Sequence, residues 1–194
     1  MPSTVNVFIN DKDKPANVPN YETIITQCFD LSPRQATDIN ISGVRITLDN
    51  RSDNEVSDIW VKHGDGITMA EAETQRFVAQ YLEDNDIPAV RAPRVYLAFT
   101  WGDFGYIVTE YINGQMCGDS DIPLVAAAVQ SLITIPSPSS IPGPVGGGLI
   151  EHPFFIDRTS SIRYESVKEL QDHMNGVSVA LSLSPLGCFT GDNS

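Results

Sequence analysis

Three features spaced along the chain could act together on one anion-bearing ligand. Lys62 closes the apolar run Ile59-Trp60-Val61-Lys62, which reads as a β-strand, so its ammonium offers N–H donors at a strand end. An exposed lysine with no further role looks the same there, and its neighbours must decide. Thr68-Met69-Ala70-Glu71 follows with the spacing of a capping box, which predicts a helix starting at that point. Glu71 and Glu73 compete to pair with Lys62 from this helix. At roughly 100° per residue the centre of the apolar stripe lies about 60° from Glu71 and about 100° from Glu73, so Glu71 is the expected partner. Glu73 is expected to pair with Arg76 on the surface. Further on, Glu110-Tyr111-Ile112-Asn113-Gly114 breaks out of an apolar strand into a turn. That suits a hinge presenting backbone carbonyl and N–H groups to an adenine edge, although any buried strand ending in Asn-Gly looks alike.

These residues need a sheet and a packed helix to position them, and the surrounding pattern supplies both. Ile39 to Leu48 alternates apolar and polar residues with an interruption at Gly43, and with 59–62 it gives two or three antiparallel strands. The helix from Thr68 carries Ala70, Phe77, Val78, Tyr81 and Leu82 at helical spacing and ends at Asn85-Asp86-Ile87-Pro88. Val95–Thr100 and Tyr106–Tyr111 form a hairpin around Trp101-Gly102-Asp103-Phe104-Gly105, in which Gly102 and Gly105 are expected to supply permissive backbone angles. Residues 1–36, rich in Asp, Asn and Pro, read as an extension in which only Ile24–Leu31 could pack as a short helix or docking segment. Beyond Gly114, Ile122–Ile135 has helix length with Pro123 in its first turn. Residues 135–148 hold four prolines and four glycines and must be a long loop. Ser166–Met174 is amphipathic, and Val177–Ser184 alternates like a strand. The fold class is therefore α+β, divided as an N-terminal extension (1–36), a lobe of about five antiparallel strands plus one helix (37–112), a hinge with a mainly helical part (113–176) and a divergent tail (177–194).

Composition limits the partners. Twelve Lys+Arg against 25 Asp+Glu give a formal charge of −13 over 194 residues, and the scattered bases form no patch, which argues against nucleic acid and against an anionic lipid surface. Cys28, Cys117 and Cys188 are widely spaced with no C-x-x-C pair, consistent with a reducing compartment. The short apolar patch Val5–Ile9 lacks the basic lead and length of a signal peptide, and no run reaches the roughly 18 apolar residues of a membrane span. A cytoplasmic protein with 41% hydrophobic residues and a real core is expected. His63, His152 and His173 have no nucleophile or metal-ligand arrangement around them. Gly146-Gly147-Gly148 could cradle a phosphate only if it led into a helix N-terminus, and Leu149-Ile150-Glu151-His152-Pro153 does not read as one, so a linker is the expectation.

With Trp60-Val61-Lys62, Met69-Ala70-Glu71-Ala72-Glu73, Arg91-Ala92-Pro93-Arg94-Val95-Tyr96 and Tyr106 through Gly114 in this order, the stretch from about 39 to 176 resembles the aminoglycoside phosphotransferase-like branch of the protein-kinase-like fold, in the form found in uncharacterised fungal proteins. The resemblance implies a kinase-like N-lobe, ATP with Mg²⁺ as cofactors, Lys62 on the ATP phosphates, Glu71 orienting that lysine, and the backbone of Glu110 and Ile112 on adenine. Asp103-Phe104-Gly105 spells the metal-binding tripeptide of kinases but stands before the hinge, where the family does not place it, and a hairpin turn is expected instead. The family's H-x-D…N catalytic loop, its metal-binding Asp and its Gly-rich phosphate loop are not found. Asp157 or Asp172 would have to serve, without the expected neighbours. A truncated or alternatively spliced phosphotransferase-like protein that keeps the nucleotide-binding lobe and is inactive alone is the expectation. The alternatives are a pseudokinase-like interaction module whose incomplete C-lobe is covered by a protein partner, a full-length form that transfers phosphoryl groups, and a non-functional product.

Overall fold

The computed structural model describes residues 4–31, 43–49, 57–155 and 157–180. The chain divides into two compact units, Met1–Ile135 and Pro136–Ser194.

The strands of the first unit are β1 (Val5–Asn10), β2 (Gly43–Thr47), β3 (Asp58–Gly64), β4 (Val95–Trp101) and β5 (Phe104–Glu110). They form one antiparallel sheet in the order β1-β4-β5-β3-β2. β4 and β5 are joined by a two-residue turn, with Trp101 opposite Phe104 and Gly102 at φ +60°, the position where a tight hairpin needs a left-handed residue. Gly105 has a different role from the one expected. Its φ is not positive, but a Cβ there would lie 2.1 Å from the Ile67 carbonyl oxygen, so the glycine is needed for close backbone approach.

Both faces of this sheet are covered. Helix α1 (Tyr21–Leu31) sets Ile24, Ile25 and Cys28 into a core with Val44, Ile46, Ile59, Val61, Phe99 and Val108. Helix α2 (Met69–Asp84) places Ala72 against Ile9, Val95, Ala98 and Ile107 on the opposite face. The residues expected to form an N-terminal extension thus supply an edge strand and a covering helix, and the lobe has two packed helices where one was expected. β1 is tied in by Asp11, whose N–H donates to the Tyr96 carbonyl at 2.9 Å and whose carboxylate accepts from Arg94 Nε at 2.8 Å. The Cys28 thiol, closed in beneath α1, is pushed up to about 12 by burial and is chemically quiet.

Helix α2 is defined at both ends. The Thr68 hydroxyl caps its start by accepting the Glu71 N–H at 3.2 Å. At its end Asp86 N–H donates to Glu83 and Ile87 N–H to Leu82, a Schellman pattern with Asp86 at φ 48° in the place usually held by glycine. After a 3₁₀ turn at Asp119–Asp121, α3 (Ile122–Ile133) is an uncharged helix with no buried residue, Leu124 being 70% and Ile133 69% exposed.

In the second unit, Glu151 pairs with Thr159 in an isolated antiparallel bridge, and Ser160 N–H and the Ile150 carbonyl meet at 2.8 Å. Buried Tyr164 joins its hydroxyl to His173 Nδ1 at 2.9 Å, with the Phe155 ring edge-on to the same imidazole. Helix α4 (Val167–Ala180) runs through Gly176, so 177–180 is helical where a strand was expected. Four alternating residues fit either period. Residues 181–194, the rest of the expected tail, lie outside the described residues, as do 39–42 of the first expected strand. None of the described helices is long and apolar enough to cross a membrane.

If α1 is part of the core, Ile24→Ala, at a site with no exposed side-chain area, should cost about 2–5 kcal/mol in a denaturant titration. A loss below about 1 kcal/mol would place α1 off the sheet.

Candidate functional site

Strand alternation divides β3 between the two cores. Ile59 and Val61 are fully buried on the α1 side, which turns Trp60 and Lys62 to the α2 side. Lys62 lies opposite Gly43 of β2 and Ile107 of β5, and the short turn after Gly64 brings the first turn of α2 back over it. The ammonium meets Glu71 Oε1 at 2.5 Å, with 33% and 37% of the two side chains exposed. The pairing expected from the sequence is therefore present, and Glu73 pairs with Arg76 at 2.6 Å as expected. Only the Thr68 half of the capping box is made, because the Glu71 carboxylate turns to the lysine instead. One of three ammonium N–H groups serves that carboxylate, leaving two directions for a second acceptor.

At the end of β5, Glu110 lies opposite Ile59, three residues along β3 from Lys62. Its N–H already donates to the Arg94 carbonyl at 2.9 Å and its carboxylate is paired with Arg91. Its carbonyl accepts the Thr109 hydroxyl at 3.1 Å. The Ile112 carbonyl accepts Gly114 N–H at 3.0 Å, and the Ile112 side chain is half exposed. An adenine edge at this hinge could engage the Glu110 carbonyl and the Ile112 amide, but not the Glu110 N–H.

The structure adds residues that the sequence reading did not single out. Trp60 shares its strand face with Lys62 and is half-buried, its ring passing so close to Gly43 that a Cβ there would lie 2.7 Å from it. Arg45 grips Asp58 with two nitrogens at 2.8 and 2.9 Å and stacks over the Tyr111 ring at 4.4 Å. The Arg45 bond, helped by the Thr47 and Ser57 hydroxyls, holds the Asp58 carboxyl down at about 2. Arg45 and Asp58 are a diagonal pair across β2 and β3, and Thr47 lies directly opposite Asp58, relations visible only once the register is known.

The other expectations fall as follows. Asp103 occupies the β4–β5 turn. His63 stacks on Tyr106, and burial lowers its pKa. His152 Nδ1 accepts the Phe154 N–H at 3.1 Å, and His173 is held by Tyr164. Asp172 pairs with Lys168 at 2.6 Å on the α4 surface. Among the described residues no three His, Cys, Asp or Glu side chains converge as a metal site. A cleft of about 760 Å³ lies by the C-terminal half of α2, lined by Glu110 but not by Lys62, Glu71 or Ile112. Its arginines 76, 91 and 94 are paired with Glu73, Glu110 and Asp11, so it offers no unbalanced positive charge. No family model, curated protein or solved structure matches this chain, and the kinase-like resemblance rests on the residues named.

A half-exposed pair of this kind contributes about 0–1 kcal/mol. A double-mutant cycle of Lys62→Met and Glu71→Gln should therefore show a coupling no larger than about 1 kcal/mol, whereas Thr68→Ala should cost about 1 kcal/mol through the lost cap. A coupling of several kcal/mol would mark the pair as a structural strut. For Asp58, whose folded pKa is depressed, the carboxyl should stay ionised until the pH falls to about 2. Its stabilising contribution is present above the ordinary carboxylate range and lost as pH falls through the folded value. Arg45→Gln should return the carbon-13 titration of Asp58 toward the usual range.

Proposed function

We propose that the lobe expected at 37–112 is a nucleotide-binding lobe of phosphotransferase-like type, with Lys62 on the phosphates of ATP, Glu71 holding the lysine in place and the backbone at Glu110 and Ile112 against the base. The observation that supports this reading is the Lys62–Glu71 contact at 2.5 Å across the gap between sheet and α2, with two ammonium donors left to point elsewhere. Trp60, two residues away on the same face, offers an indole against which a base could stack. The activity proposed is binding. ATP would supply a transferable phosphoryl group, but no residue described here is assigned to moving it, and no step is assigned to Mg²⁺. A second reading, an interaction module, is favoured by α3, an uncharged helix with no buried residue. In that reading a partner protein covers the helix.

At 100 times its dissociation constant, a ligand that binds only the folded chain adds about 2.7 kcal/mol of stability. Mg·ATP should raise the melting temperature of the full chain and quench Trp60 fluorescence saturably, and Lys62→Met should abolish the melting shift. Leu124→Lys on α3 should leave both responses unchanged. Absence of a shift and of a quench together would overturn the nucleotide reading.

A further inference from the structure

The second unit contains a small cavity whose described lining includes one arginine, in an acidic chain. It measures about 230 Å³ and is walled by the Ser137–Gly148 loop and by Arg163. Among the described residues no carboxylate lines it, in a chain whose formal charge is −13. Whereas the arginines of the larger cleft are each paired with an acid, no salt bridge joins Arg163 to any described residue.

The placement of Arg163 follows from the backbone. Glu151 bridges Thr159, and the next pair inward, Ile150 and Ser160, is joined by the Ser160 N–H to the Ile150 carbonyl at 2.8 Å and by the Ile150 N–H to the Ser160 hydroxyl at 2.9 Å. Continuing that antiparallel register three residues along both arms sets Arg163 opposite Gly147. The next residue, Tyr164, is buried and held by His173, which anchors the arm just beyond the arginine. At Gly147 an added Cβ would come within 3.1 Å of the guanidinium, which places the charged group against the loop. Gly146 and Gly147 both have φ +86°, and Gly148 has φ +127°, so the three-glycine run keeps a backbone path that side chains would not readily follow.

We propose that this cavity is an anion site in which the Arg163 guanidinium takes two oxygens of a small phosphate-class oxyanion, such as inorganic phosphate or a small phosphomonoester. A guanidinium offers a planar fork matched to such an oxyanion. The volume is below that of ordinary organic-ligand pockets, about 300–1,000 Å³, which excludes a whole nucleotide and suits a tetrahedral anion with little attached. The site lies wholly in the second unit and is independent of Lys62.

The test is titration of nitrogen-15-labelled full-length protein at low ionic strength with inorganic phosphate, and in a second arm with phosphoethanolamine, following the Gly146–Gly148 amides and the Arg163 side-chain signal. Saturable shifts confined to these groups are expected, with affinity lowered about tenfold or more in Arg163→Gln and unchanged in Arg158→Gln, whose side chain does not line the cavity. Arg163 is exposed, so the variant should keep a dispersed amide spectrum that reports folding directly. Equal affinity in Arg163→Gln, or no saturable shift at the glycines, would overturn the proposal. Binding of the monoester with exclusion of free phosphate would show that the ester group, and not the guanidinium fork, defines the site, and would overturn it too.

Discussion

The sheet has to bury both faces, and every position of interest depends on that. Five consecutive residues of β4, Val95–Phe99, and five of β5, Gly105–Thr109, are buried. Unbroken runs of this kind occur where a sheet is covered on both sides. α1 covers one face and α2 the other, and the two helices come from stretches of very different appearance. Once both are seated, β3 is clamped between β2 and β5 with a single register available, because a slip by one residue would drive Lys62 and Trp60 into the α1 core and expose Ile59 and Val61. The ion pair with Glu71 is thus a consequence of how the apolar residues are buried. It contributes little to the fold itself.

What was legible in the sequence was local. The helix start capped by Thr68, the β4–β5 hairpin, Pro123 in the first turn of α3 and the choice of Glu71 over Glu73 all follow from interactions within a few residues. They hold because nothing distant competes with them. The short helix expected at Ile24–Leu31 is present within α1, whereas the strand at Val5–Asn10 was missed because its structure is decided by partners far along the chain. β1 pairs Val5 with Trp101 and is interrupted by a register shift between Val7 and Ile9, which breaks its short alternation. α1 did carry a start signal, since Asn20 accepts the Thr23 N–H at 3.0 Å as an N-cap does, but its apolar content gave no hint of the opposing face it fills. Val177–Ala180 was misassigned for a different reason: four residues alternating Val and a small residue satisfy a strand and one helical turn equally. The continuation of α4 across Gly176 costs only about 1 kcal/mol relative to alanine.

Electrostatics divides the cations into two groups. Arg45, Lys62, Arg76, Arg91, Arg94 and Lys168 each have a carboxylate within bonding distance, as expected where acids outnumber bases two to one. Such pairs fix side chains more than they attract ligands, because the charge seen from outside is already balanced. For Lys62 the consequence is direct. An incoming polyphosphate would gain hydrogen bonds from the remaining ammonium protons, but it would carry several negative charges toward a lysine neutralised by Glu71, with Asp58 and Glu110 nearby already balanced by Arg45 and Arg91. Attraction at that site must therefore come mainly from short-range donor geometry and from stacking on Trp60, unless a divalent cation travels with the phosphates.

Arg163 is in the reverse situation. Its cavity offers few hydrogen-bonding groups, and the Ser137 and Ser139 side chains are partly engaged with their own loop, the first donating to the Ser139 carbonyl at 2.7 Å and the second accepting the Ile141 N–H at 3.0 Å. What the cavity has is a guanidinium with no acid among the described residues of its walls. In a chain this acidic, long-range repulsion slows any anion's approach at low salt, and the effect weakens as the Debye length contracts to about 8 Å at physiological ionic strength. Added salt therefore acts in two opposing directions at Arg163, easing approach past the surface acids while weakening the contact with the guanidinium. At Lys62, where the local charge is balanced, the first effect dominates.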